Sequence, residues 1–83
     1  MNHIARTPKQ IGEVIRRRRI EAGYTQTELG RLAGLRQATI SQVENGSKAA
    51  QIESVCLILA ALGLEILITD RSQGSTQDIE AMF

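Results

Sequence analysis

Four stretches of this chain carry aliphatic residues at helical spacing, and each is bounded by residues that start or stop a helix. In the first, Ile11, Val14, Ile15, Arg18 and Ala22 recur every three or four residues, which puts them on one face of a helix. Thr7 and Pro8 precede them as an N-cap and a proline at the first helical position, where its missing N–H costs nothing. Gly23 then supplies a left-handed stop. Arg18 can lay its stem along apolar neighbours while its head reaches water. Ile20 lies nearly opposite the stripe and is expected to be an ordinary exposed aliphatic.

Thr25 and, three residues on, Glu28 form a capping box that opens a second helix over 26–33. Leu29, Leu32 and Ala33 are expected to turn inward, and Gly34 closes it. A third helix over 37–44 buries Ile40 and Val43 and stops at Asn45 and Gly46. Two brief helices joined by a glycine-led turn have the outline of a helix-turn-helix. The fourth helix, over 51–62, is expected to bury Ile52, Val55, Cys56, Leu59 and Leu62, with Leu57 projecting away and Gly63 as its stop.

From Leu64 to Asp70 the pattern changes to β-branched enrichment with rough alternation, which predicts a strand. Nothing else in the chain reads as one. An unpaired apolar strand is costly if buried and sticky if exposed. Leu64, Ile66, Leu67 and Ile68 are therefore expected to pair antiparallel with the same residues of a second copy, giving a twofold homodimer. The fold class that follows is all-α: a helix-turn-helix domain of four or so helices, plus one C-terminal β-strand pairing across a homodimer. Residues 1–70 form this unit, with 1–6 a frayed arm. Residues 71–83, rich in Ser, Gln and Gly, are expected to be a flexible tail. Its closing Ile79, Met82 and Phe83 are expected to dock on a partner or to mark the chain for proteolysis.

Composition strengthens the case for a second subunit. Eighty-three residues at 9.1 kDa make one small domain, and one Phe, one Tyr and no Trp leave an aliphatic core. A core this thin gives little net stability alone, and the lone Cys56 excludes an intrachain disulfide. No stretch reaches the roughly 18 apolar residues of a membrane span. The opening MNHIARTPK lacks the apolar block of a secretory signal, so a cytoplasmic location away from membranes is expected. The formal net charge of +1 hides a polarity: residues 1–48 hold nine Lys and Arg against four acids, and residues 49–83 hold one Arg against five. A basic first half points to a polyanion on that side.

The candidate chemistry gathers at the third helix, whose N-terminal residues would face base edges in a DNA major groove. Arg36, Gln37, Ala38 and Thr39 stand at its entry, with Gln42 a turn on. Arg suits guanine or phosphate, amides suit adenine, and small methyl-bearing residues let the helix approach a thymine methyl. Gln26, with Thr25 beside it, sits where a helix N-terminus would meet a phosphate. Other residues take plainer readings. Arg16 to Arg19 point around most of a helix and read as a solvated face. His3 has no second His to share a metal, and Cys56 reads as a buried, inert thiol. No catalytic residue, metal or cofactor is expected, and the chain is not read as an enzyme.

The segment TQTELGRLAGLRQATISQVENG, residues 25–46, resembles the helix-turn-helix of the phage repressor and Cro (XRE-like) family. It does so through its TQ pair, its ELxxLAG run, the Ile40 and Val43 spacing and the closing ENG. With helices one and four the resemblance spans residues 8–62, and it implies that Arg19 pairs with Glu44. Arg36 stands where the family has a Ser or Thr cap, and the SKAA loop at 47–50 lacks the usual proline. AAQIESVCLILAALGLEILI, together with QATIS, further resembles the HipB-type antitoxins. That likeness implies a dimer on palindromic double-stranded operator DNA, repression of its own operon, and neutralisation of a HipA-type serine/threonine kinase toxin. Two competing readings are a free-standing phage-type or restriction-controller regulator with no toxin, and a purely protein-binding module that keeps the motif as scaffold.

Overall fold

The computed structural model describes residues 3–71. Most of the tail expected over 71–83, including Ile79, Met82 and Phe83, lies outside them. Four helices follow in order: α1 (Pro8–Glu21), α2 (Gln26–Ala33), α3 (Gln37–Glu44) and α4 (Ile52–Ala61). The boundary signals act as their chemistry requires. The Thr7 hydroxyl accepts from the Gln10 N–H at 3.1 Å, and the Gln10 side chain accepts in turn from the Arg6 N–H at 2.6 Å. Pro8 opens α1, and Gly23 follows its end at φ +83°. α2 carries a complete capping box and ends on Gly34.

α2 packs on both α3 and α4, and α1 lies against α3. Between them sits a core whose fully buried large side chains are Ile15, Leu29, Ile40 and Ile58, one from each helix. Ala33, Val43 and Leu59 join them, with Ile11, Tyr24, Leu35, Val55, Leu62 and Leu64 packed around the margin. The contact of α1 with α3 depends on Gly12: a methyl there would run into the carbonyl oxygens of Val43 and Glu44.

Three side chains expected in the core are not in it. Leu32 is 56% exposed, Ile52 is 77% exposed and Cys56 is exposed. Ala22, at the end of the α1 stripe, is exposed as well. On α2, Leu29, Gly30 and Ala33 face inward, and Leu32 falls to the side. On α4 the physical reason is that aliphatic residues surround the helix, so periodicity alone does not say which side is inside. The buried side is Ile58 and Leu59, not the Ile52 and Cys56 side. The Cys56 thiol accordingly faces solvent in the single chain.

Beyond Gly63 the described residues hold no strand. A strand needs a hydrogen-bonding neighbour, and one chain offers none. Leu64 packs against the core and its N–H donates to the Leu59 carbonyl at 2.8 Å. Ile66, Leu67 and Ile68 stand exposed, Ile68 at 91%.

Candidate nucleic-acid interface

The interface is built outward from one buried charge. Glu44, the last residue of α3, is the one buried charged side chain among the described residues. A carboxylate taken out of water is expensive unless donors surround it. Here it has three. Arg19 of α1 donates from Nε at 2.6 Å and from Nη2 at 3.1 Å, and Gln26 of α2 donates from Nε2 at 3.0 Å. Arg19 spends its remaining nitrogen on the Tyr24 carbonyl at 2.9 Å. The pairing of Arg19 with Glu44 that the family resemblance implied is therefore present, and it ties α1, α2 and α3 together at one point.

The network continues to the surface. Because a carboxylate only accepts, Gln26 must turn its NH₂ toward Glu44, which fixes its carbonyl in the opposite direction. That carbonyl accepts from Gln37 Nε2 at 2.6 Å. A chain of hydrogen bonds thus runs from the half-buried Arg19 through Glu44 and Gln26 to the first residue of α3. Gln37 is left with its own Oε1 and one N–H, the acceptor and donor pair that an adenine edge presents in complement.

The other candidate residues fall as follows. Arg36 is the N-cap of α3, is exposed, and makes no side-chain cap hydrogen bond. Gln37, Ala38 and Gln42 are all exposed on α3, with Ala38 and Gln42 close together around the helix and Gln37 about 100° from Ala38, while Thr39 is half-buried. Thr25 is occupied locally: its hydroxyl accepts from the Glu28 N–H at 3.0 Å, and its own N–H donates to Glu28 Oε1 at 2.8 Å. That backbone hydrogen bond is the main reason the Glu28 carboxyl is held below the usual carboxylate range. Gln26 is half-buried and bonded on both sides, so it reaches the surface through Gln37 as well as directly. Residue pattern alone did not reveal the Glu44–Gln26–Gln37 relay. Its members are 18 and 11 residues apart along the chain, and no periodicity links them.

Among the described residues no three His, Cys, Asp or Glu side chains gather to hold a metal ion, and no helix is long and apolar enough to cross a membrane.

Two short helices joined by a tight glycine-led turn, the second with one face in the core and the other in solvent and tied to the first through Gln26, define a helix-turn-helix protein. The chain belongs to that family, whose helix-turn-helix model matches residues 15–68. Within the family it is 31% identical over 74 residues to antitoxin HipB of Escherichia coli (strain K12), a match covering 89% of this chain and 84% of the relative. Antitoxin HipB of Escherichia coli O6:H1 matches equally in identity, with 79% of its length covered. Two solved structures superpose on 86% of this chain and on all of theirs at 30% identity. They are HipB in a HipA-HipB-O2-O3 complex, with a TM-score of 0.78, and HipB in an O4 20mer complex, with a TM-score of 0.79.

Proposed function

We propose that this chain is a sequence-specific DNA-binding repressor that serves as the antitoxin of a HipA-type serine/threonine kinase toxin and represses its own operon. The observation that carries the reading is the braced α3 face. Gln37 is positioned by Gln26 and Glu44, with Arg36, Ala38 and Gln42 exposed around it. The likeness to HipB, which is seen in complex with HipA, supports a toxin partner over a free-standing regulator.

In this reading α3 enters the major groove. Gln37 reads a base edge, Ala38 and Thr39 allow close approach, Gln42 reaches a further base, and Arg36 meets guanine or a phosphate. Thr25 and Gln26 at the start of α2 lie against the backbone. Residues 64–70, through Leu64, Ile66, Leu67 and Ile68, pair with a second copy. Two α3 helices then stand roughly 34 Å apart, or a multiple of that, on a palindromic operator. Residues 1–70 act as this unit, and 71–83 as a tail. The protein works as a binding protein in the cytoplasm, not as an enzyme.

The test has two parts. A palindromic duplex selected from a random pool should bind the wild type tightly and Gln37→Ala weakly, by a loss of about 1–3 kcal/mol at the contacted position. Unchanged binding after Gln37→Ala plus Thr39→Ala would refute base reading by α3. Purification from the native host should bring down a kinase; a chain that binds its operator but carries no kinase is a free-standing regulator.

A further inference from the structure

One hollow in the described residues is lined by none of the side chains assigned above to DNA. It opens where the start of α1, the turn after α3 and the first turn of α4 meet, and it holds about 180 Å³. Ile11, Val43, Ala50 and Val55 line it, and Ile52, 77% exposed, stands beside them. Lys48 is exposed at its rim, and no carboxylate is among its lining residues. Lys9 of α1 is adjacent, its backbone lying against Gly46, which also lines the hollow. The result is an apolar bowl with a cationic edge. Left to water it keeps aliphatic surface hydrated, and an apolar group entering it would release that water.

We infer that Phe83 of the same chain occupies this hollow, with Asp78 and Glu80 meeting Lys48 and Lys9 at its edge. The inference stands or falls independently of the DNA and toxin reading. Three observations select the occupant. The first is size. An apolar cavity of about 150 Å³ takes a benzene ring, so this hollow suits one aromatic side chain. Phe83 is the single phenylalanine, and Tyr24, the single tyrosine, already packs on the core. The second is charge. Residues 78–83, DIEAMF, carry two acids and no base, complementary to the Lys48 edge. Exposed ion pairs contribute little each, so burial of the ring supplies the affinity and the charges choose the surface. The hollow beside Ile20 on α1 is a poorer match, since Glu13 and Glu21 line it along with Arg16 and Arg17. The third is reach. Residues 72–83 extend from the end of the described chain and can span roughly 40 Å, against a longest molecular dimension of 41 Å. Leu64, by contrast, is held at the far end of α4 by its bond to the Leu59 carbonyl. The segment then has a docked and a free state, and a protein that grips Ile79, Met82 and Phe83 must first draw them out of the hollow.

A nitroxide attached to the full chain through Ala81→Cys, with the exposed Cys56 removed as Cys56→Ser, reads the docking directly. If the docked state holds most of the population, the amide resonances of Ile11, Gly46 and Val55 should lose intensity by about twofold or more. Adding Phe83→Ser to the same chain should restore them, with helical circular dichroism unchanged. Broadening spread evenly along the chain, or confined to Arg16, Arg17 and Ile20, overturns the inference. So does broadening at the hollow that survives Phe83→Ser. A mixture of isotope-labelled chain without nitroxide and unlabelled chain with it separates the two possible owners of the tail. Broadening in that mixture equal to that in the doubly labelled chain places the tail on a second copy and overturns docking within one chain. At low salt Lys48→Glu should reduce the broadening, and Asp78→Lys plus Glu80→Lys should restore it. Restoration supports the ionic edge, and its failure removes Asp78 and Glu80 from the contact. If Phe83→Ser leaves every amide of the isolated protein unmoved but abolishes kinase capture, the ring belongs to the toxin and the hollow is not its site.

Discussion

Glu44 has 2% of its side-chain surface exposed and Arg19 has 12%. Removing one member of such a pair leaves the other charged, buried and unmatched. Glu44→Ala should therefore lower unfolding free energy by about 3–5 kcal/mol in urea titrations. The paired replacement Arg19→Met plus Glu44→Leu should recover much of that loss, since buried ion pairs are often no better than well-packed apolar residues. Gln26 separates structure from reading, because it touches Glu44 on one side and Gln37 on the other. Gln26→Ala should weaken operator binding. A double-mutant cycle with Gln37→Ala should show coupling of about 0.5–3 kcal/mol if the relay holds Gln37 in place, and additive losses if it does not. Little of this was legible beforehand. The Arg19–Glu44 pair came with the family resemblance, and the relay through Gln26 depends on three helices meeting, which no single-helix pattern encodes.

The capping signals were legible because they act within a few residues. Thr7 with Pro8, Thr25 with Glu28, and the glycines after α1 and α2 each fix a boundary by local hydrogen bonding, and α2 and α3 fall on the expected residues. The inward side of α4 was not legible: Ile52, Cys56 and Ile58 are similar in hydrophobicity, and only packing against α2 and α3 chooses Ile58. The cap on α2 has a pH signature. Its Thr25 hydrogen bonds depress the Glu28 pKa, so their contribution is fully present above the ordinary carboxylate range and is lost as pH falls through the lowered value. Glu28→Gln should accordingly flatten the acid limb of stability against pH, read from thermal midpoints between about pH 5 and pH 2. At the α1–α3 contact, an added methyl at Gly12 meets the backbone oxygens of Val43 and Glu44, which cannot swing aside. Gly12→Ala should cost about 1–3 kcal/mol. Gly46 combines a close approach to the Lys9 backbone, 2.7 Å from an added Cβ to Cα, with φ +73°, so Gly46→Ala is strained on both counts.

At the scale of the whole molecule, the basic residues and the reading helix lie in the same part of the chain. Residues 1–48, which contain α1 to α3, hold the excess of Lys and Arg, while residues 49–83, which contain α4 and the aliphatic segment 64–70, are acidic. In a twofold dimer joined through the acidic part, both basic parts can face one duplex. Binding should then weaken steeply with salt, because each phosphate contact releases condensed counterions and adds about −0.9 to the slope of log affinity against log salt concentration. The slope also distinguishes residues. Arg36, exposed at the entry of α3, should contribute to it if it meets a phosphate, so that Arg36→Gln makes the slope shallower by about one per half-site. Arg16 and Arg17 are exposed on the outer side of α1 and read as solvated; Arg16→Gln should leave the slope unchanged while lowering the positive charge by the same amount. Equal flattening by both substitutions would mean that diffuse charge, and not contact at α3, draws this protein to DNA.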